Sequence, residues 1–497
     1  MNVKRSVIRG SVSLGGARAV ISILNAAGII VLARLLTPDD FGIVAISTAM
    51  LGVIMAATEA SLQPALVQCR SPTQDHVDTV WTMSLIRAAI IFAIFAIGAW
   101  PLSVIYDDPR LVGVLVVTGL TGAFMEFYNP RITLAARNME FRAVAAFWIS
   151  QKLSGLALSI ILAVIFRSYW AIIIGNAAGT LLASLYSYAM VPYRPRFTLS
   201  RAGEIWGFSR WMFLTQLCET LNWRFDQLVI GLIATKAQLG FYSVADNLAA
   251  IPSRELSMPI RSALFAGLAS LAGQSERLRS SFLRAQSAIA MLTVPAAAGV
   301  ALVADPTVRL LLGEDWIATT TFVQILAITY AFDMFVVAVR PLGMATGDTR
   351  LLFMRQLAGL LVRVPLILIG LAAGGMIGAA LGRGLGGAIN CLISFHVAEQ
   401  LVGLSMREQM KGHAATVAGV TAMSGLVLFL QFELEAVLAP FPVIAILVLG
   451  SAGALTYCGT ILLIWLASGR QYGVVGEIIG TAATLPAFRI IARMARS

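Results

Sequence analysis

Fourteen predominantly apolar stretches, each long enough to cross a lipid bilayer as a helix, follow one another along this chain with little between them. They lie at 13–36, 41–62, 78–100, 111–134, 143–166, 170–191, 205–234, 238–262, 283–304, 318–342, 351–372, 377–400, 414–432 and 436–468. A helix needs about 20 such residues to span the hydrocarbon core. Fourteen of them use up most of the 497 residues, so no sizeable soluble domain fits between them. Only 12% of the residues are charged and the mean hydropathy is +0.84, whereas soluble domains carry about 25% charged residues. That excludes an ordinary water-soluble enzyme and a disordered chain alike. Backbone polar groups in lipid must pair within their own segment, so each span is a helix. The expected fold class is an all-α polytopic membrane protein.

The net charge of +11 would suggest a nucleic-acid partner in a soluble protein. In a membrane protein it reflects the basic residues that collect in cytoplasmic loops, and no nucleic acid is expected. With the N-terminus placed inside and the spans alternating, the inside segments hold twenty Lys and Arg. The outside loops hold four: Arg110, Arg167, Lys236 and Arg309. Both termini are therefore expected in the cytoplasm. The basic start, Met1–Gly10, runs into an apolar stretch too long for a signal peptide and without an A-x-A cleavage site behind it, which reads as an uncleaved first span. The tail after Gly469 either lies along the inner surface or moves freely.

No catalytic or metal constellation emerges. Four cysteines and three histidines are scattered without ligand spacing, and no phosphate-binding GxxxxGK[ST] loop is present. No cofactor and no metal are expected. The short outside loops leave no room for an enzyme acting on a polymer. The glycine-rich run Gly382–Gly387 lies inside a span, where close helix packing explains it better than a nucleotide cradle.

An internal repeat is written at an offset of 198 residues. Val31, Thr37 and Gly42 at the end of the first span and the turn after it match Val229, Thr235 and Gly240 at the end of the seventh. The matching segments join equivalent spans of two six-helix sets, so a parallel repeat about an axis along the membrane normal is expected. A generic hairpin turn is the competing explanation. The resulting division is 1–203 and 204–410 as six-helix bundles, 411–469 as two extra transmembrane helices, and 470–497 as a cytoplasmic tail.

Charges inside spans mark where such a protein works, since a charge at the bilayer centre costs about 2.5–3.5 kcal/mol. The seventh span carries Thr215, Gln216, Glu219, Asn222, Trp223 and Asp226 on one helical face. Subtracting 198 from Gln216 and Trp223 gives Arg18 and Asn25, which share a face of the first span. The eighth span aligns Asp246, Ser253 and Ser257. The expected substrate-binding set is Arg18, Asn25, Arg87, Lys152, Trp223 and Arg363, because guanidinium and ammonium groups suit an anionic passenger. Glu219, Asp226, Asp246 and Asp333 are the expected coupling carboxylates, unless they serve only to neutralise Arg224, Arg254 or Arg363. Arg34, Arg261 and Arg340 lie towards span ends, where snorkelling explains them; Arg383 lies inside the twelfth span, with snorkelling or a cavity role as the two explanations. Trp81, Trp148, Trp211 and Trp223 either stack on sugar rings or form interfacial belts.

The run Ala33-Arg34-Leu35-Leu36-Thr37-Pro38-Asp39-Asp40-Phe41-Gly42 resembles the first extracellular turn of bacterial polysaccharide exporters and flippases. Asn129-Pro130-Arg131 through Arg137-Asn138-Met139-Glu140-Phe141-Arg142 resembles their loop after the fourth span. The resemblance covers essentially the whole chain. It implies two helical bundles that open alternately to either side of the bacterial inner membrane. It implies a passenger that is an undecaprenyl-pyrophosphate-linked oligosaccharide, surrounding membrane lipids, and a polysaccharide polymerase and co-polymerase as partners. A multidrug or cation antiporter on the same fold is the alternative, and it would require a net acidic cavity.

Overall fold

The turn at Thr37 shows how this chain starts a helix. The Asp40 N–H donates to the Thr37 hydroxyl at 3.4 Å and the Thr37 N–H donates to the Asp40 carboxylate at 2.9 Å. This is a capping box with proline in the first turn. The same reciprocal pair recurs 198 residues later. Thr235 N–H donates to Gln238 Oε1 and Gln238 N–H donates to Thr235 Oγ1, each at 3.2 Å. The repeat is thus present in local structure, beyond the three identities that first indicated it.

The computed structural model describes residues 3–59, 62–69, 71–137, 141–205, 210–271, 273–468 and 476. Among them every regular element is a helix. The chain divides into two compact units, Met1–Val244 and Ala245–Ser497. The first holds α1 (Val3–Leu35), α2 (Pro38–Ala57), α3 (Leu62–Gln68), α4 (Gln74–Ile105), α5 (Arg110–Glu126), α6 (Arg131–Arg137), α7 (Phe141–Phe166), α8 (Trp170–Met190), α9 (Ala202–Ile205) and α10 (Arg210–Ile233). It also holds the first part of α11 (Lys236–Ala249). The second holds the rest of α11 and α12 (Ile251–Ala269), α13 (Ser275–Leu302), α14 (Ala304–Leu311), α15 (Thr319–Phe335), α16 (Val339–Thr346), α17 (Thr349–Val402), α18 (Met406–Leu438) and α19 (Pro442–Ala467). The division falls later than the repeat boundary at 203/204 because α10 packs along α2.

Among the described residues, ten helical segments are long and apolar enough to cross a membrane. One of them, α17, is two antiparallel helices in continuous sequence. Gly374 (φ −141°) and Gly375 (φ 58°, ψ −143°) reverse the chain, and the second of these lies in the left-handed region that favours glycine. Among the described residues, each of the fourteen stretches expected from hydropathy lies largely on helix, so fourteen crossings remain compatible with the fold. The chain is a multi-pass membrane protein. Its surface supports this: Ile97, Trp100, Phe432, Leu455 and Leu463 are exposed while Asp78, Asp226 and Arg383 are buried, the reverse of a soluble protein.

In the first unit, α4 pairs with α5 and α7 with α8 through small residues. A side chain on Gly119 would strike Phe95, and one on Gly179 would strike the backbone of Ser154 and Gly155. Leu32 of α1, Leu36 just after it, Leu156 and Ala163 of α7, and Ala171 and Ile172 of α8 close the bundle at its Thr37 end. At the other end Leu62, Leu66, Val77, Val80, Tyr193 and Ile205 form a second cluster. In the second unit, α13 packs against α15 and α18. The two extra helices are held there by Ala415, Met423, Tyr457, Ile461 and Trp465 against Met291 and Ala298.

Candidate functional site in the first helical unit

A cavity of about 440 Å³ opens among α1, α2, α5, α7 and α8. Helical periodicity places its lining. Asn25 follows Ile21 by one turn, Thr121 and Met125 follow Thr118, and Gln151, Lys152 and Gly155 follow Trp148. On α8, Asn176 and Thr180 follow Ile173; Thr48 and Leu51 of α2 complete the wall. The lining is polar for a membrane interior: three amides, four threonines, an indole and one ammonium, with no carboxylate.

Two of the threonines are occupied by their own helices. Thr48 Oγ1 donates to Val44 O at 2.8 Å and Thr121 Oγ1 donates to Val117 O at 3.0 Å. Thr118 differs. It is buried, and its hydroxyl has no hydrogen-bond partner among the described residues. A buried hydroxyl left unmatched costs about 1–3 kcal/mol, and a ligand or water in the cavity would relieve it.

The expected site residues fall into distinct environments. Asn25 and Lys152 line the cavity, and Trp148, expected to stack on a ring or sit in a belt, lines it with them. Arg18 lies two turns before Asn25 on α1 and is half-buried. Arg87 is not in the lining. Its guanidinium donates to Glu126 Oε1 at 2.9 Å, Glu59 Oε2 at 3.2 Å and the Met55 carbonyl at 2.8 Å. Trp223 is exposed on α10, and Glu219 is half-buried there. Arg224, beside Gly52 of α2, donates to Gln227 Oε1 at 3.1 Å.

The carboxylates are mostly engaged. Asp226 is buried and accepts from the Tyr242 hydroxyl at 2.6 Å and the Gln227 N–H at 2.9 Å. In the second unit Asp246 accepts from the Tyr330 hydroxyl at 2.6 Å and pairs with Arg383 at 2.8 Å. Arg383 does not snorkel: it is 1% exposed, and the deep ion pair with Asp246 is the reason. Arg363 and Asp333 are half-buried in that unit. Pro252 near the start of α12 separates Asp246 from Ser253, so the continuous face expected along the eighth span is broken between two helices. The tail after Gly469, apart from residue 476, lies outside the described residues.

Reasoning from sequence missed Glu126, Thr118, Gln151 and Asn176. Glu126 carried a signal, a carboxylate at the end of an apolar run. The amides and threonines carried none, because single neutral polar residues are common in spans. The motif around Asn129 is structural. Asn129 is fully buried and its amide donates to Val191 O at 2.7 Å, while Arg131 donates to Gln74 Oε1 at 2.6 Å and Pro192 O at 2.9 Å.

The family model described as polysaccharide biosynthesis protein matches residues 31–321. The chain belongs to this family. Several curated relatives resemble it across most of their length. The membrane protein in the cps region of Klebsiella pneumoniae, itself uncharacterised, is 23% identical over 80% of this chain and 82% of its own. The lipopolysaccharide biosynthesis protein WzxC of Escherichia coli is 22% identical over 82% and 84%. The succinoglycan biosynthesis transport protein ExoT of Rhizobium meliloti is 23% identical over 60% and 61%. Among solved structures, the lipid II flippase MurJ in an inward closed conformation superposes with a TM-score of 0.75 at 14% identity, covering 93% of this chain and 99% of that one. An inward-facing multidrug transporter of the MATE family gives 0.64 at 14% identity, over 77% and 94%. These two likenesses show the fold.

Proposed function

We propose that this chain is a flippase that moves undecaprenyl-pyrophosphate-linked oligosaccharide units from the inner to the outer leaflet of the bacterial inner membrane by alternating access. The observation that carries the reading is the first-unit cavity, polar and cationic within a family of polysaccharide biosynthesis proteins. Amides and hydroxyls match the donors and acceptors of sugar hydroxyls, and Trp148 offers a face for a ring. Lys152 supplies the charge for an anionic group, while the lipid tail stays in the bilayer. The antiporter alternative requires an acidic cavity, and no carboxylate lines this one.

In this reading both termini are cytoplasmic, a polymerase and co-polymerase take the flipped product, and the protein performs transport without covalent chemistry. Coupling is assigned to Glu219, Asp226, Asp246 and Asp333. Of these, Glu219 is the half-buried carboxylate nearest the middle of α10, and protonating or ion-binding there would bias two conformations only if one binds better. Cells that make the lipid-linked oligosaccharide but lack this chain should accumulate it on the cytoplasmic leaflet. Restoring the parent should clear it, and Lys152→Gln should clear it at least several-fold more slowly. Equal leaflet distribution with and without the chain would contradict the proposal.

A further inference from the structure

The two turns that define the repeat also touch each other. A Cβ on Gly42 would overlap the carbonyl oxygen of Lys236 and fall 2.6 Å from its carbon. A Cβ on Gly240 would overlap the carbonyl oxygen of Pro38 and fall 2.7 Å from its carbon. Gly42 and Gly240 are related by the offset of 198, and so are Pro38 and Lys236. The two contacts are therefore one contact made reciprocally, as at a two-fold interface. The start of α2 meets the start of α11 backbone to backbone.

We infer that this glycine pair is the closed gate of the transport pathway at the Thr37 end, with Gly42 and Gly240 as the positioning residues that let it shut. The inference rests on the flippase reading and on the orientation that places this end outside. Because backbone meets backbone, no side-chain rotation can loosen the seam. It opens only when the α2 turn and the α11 turn move apart as rigid pieces, which gives two discrete states. Two single hydrogen bonds at the Thr37 end cross the repeat boundary. The Lys236 ammonium donates to Tyr106 O at 3.1 Å at the end of α4, and also to Gly231 O at 3.2 Å. The Tyr106 hydroxyl donates to Leu228 O of α10 at 3.1 Å. Each of these hydrogen bonds contributes only about 0.5–1.5 kcal/mol, so it can break and re-form as the seam opens and closes, whereas the capping boxes keep each turn stiff.

The test uses the full-length chain with its four native cysteines replaced by serine and a reporter cysteine at Asn25 in the cavity, reacted in intact cells with an impermeant thiol reagent added outside. Flipping is measured separately without the reporter. Gly42→Ala and Gly240→Ala should each raise the labelling rate several-fold and lower flipping at least tenfold. Tyr106→Phe, which removes one tie and leaves the fold, should raise labelling roughly fivefold, the equivalent of one hydrogen bond. If the alanine variants do not accumulate, Tyr106→Phe and Lys236→Met carry the test alone. Parental labelling and flipping in every variant that accumulates would overturn the gate. A labelling rise in a chain that flips no lipid-linked oligosaccharide would overturn the proposed function and leave the gate standing.

Discussion

Lys152 and Arg87 are both cations within spans, yet their surroundings give them different work. Lys152 lines a cavity without carboxylates, so Lys152→Gln is expected to slow flipping, as the leaflet distribution of the lipid-linked oligosaccharide would show. Arg87 sits between Glu59 and Glu126. Arg87→Ala leaves two carboxylates facing each other and should destabilise the first unit by of order 3 kcal/mol, visible as a drop in Tm; Arg87→Lys should recover part of it. Sequence position alone made these two cations look alike, since hydropathy records that a charge lies in a span and not what it meets. A third residue is readable by pH. Asp108, in the turn between α4 and α5, is buried, which pushes its carboxyl up. Hydrogen bonds from the Arg110 side chain and N–H outweigh that and hold it below the ordinary carboxylate range. A depressed folded pKa means the stabilisation is full above the unfolded value near 4 and is lost as pH falls through the folded one. Arg110 is partly exposed, so the effect is about 1 kcal/mol or less. Asp108→Asn should lower Tm by about one degree or less at pH 7, and the difference should close on acidification below pH 4.

Helices as elements were legible wherever an apolar run ended at a strong local signal. The reversal inside α17 was readable because two glycines separate the runs at 372 and 377, and the starts of α2 and α11 because threonine precedes each. The breaks between α11 and α12 and between α15 and α16 were not, because a window of about 20 residues averages across Pro252 and across Val336–Ala338. The early start of α4 was missed too. Its polar first turn is held by Thr73 and His76, with His76 Nδ1 2.7 Å from the threonine hydroxyl, and hydropathy does not see such caps. The α17 hairpin also depends on small residues: a Cβ on Gly378 would overlap the Gly370 carbonyl, 2.8 Å from its carbon. Gly378→Val should therefore cost several kcal/mol of packing and reduce the detergent-extractable folded protein several-fold, whereas valine at the open Gly450 should not.

At the scale of the whole molecule, the all-helical multi-pass fold and the repeated turn could be read from sequence, while the cavity could not. Its walls come from five helices whose contributions are single polar residues, and only the fold brings them together. The orientation is a prediction from the basic residues. Cysteines placed at the exposed Asp107 and Pro440 should react with an impermeant reagent added outside, and cysteines at the exposed Arg196 and Arg277 should not; labelling of the latter pair would invert the topology. The central claim, transbilayer movement of a lipid-linked oligosaccharide, is tested most directly in vesicles reconstituted with the purified chain and loaded with undecaprenyl-pyrophosphate oligosaccharide. A membrane-impermeant glycosidase then reports how much substrate reaches the outer leaflet. The account predicts that accessible substrate rises from about half towards all of it with the parent, and markedly more slowly with Lys152→Gln. A fraction that stays at one half in parent vesicles, as in protein-free ones, would contradict it.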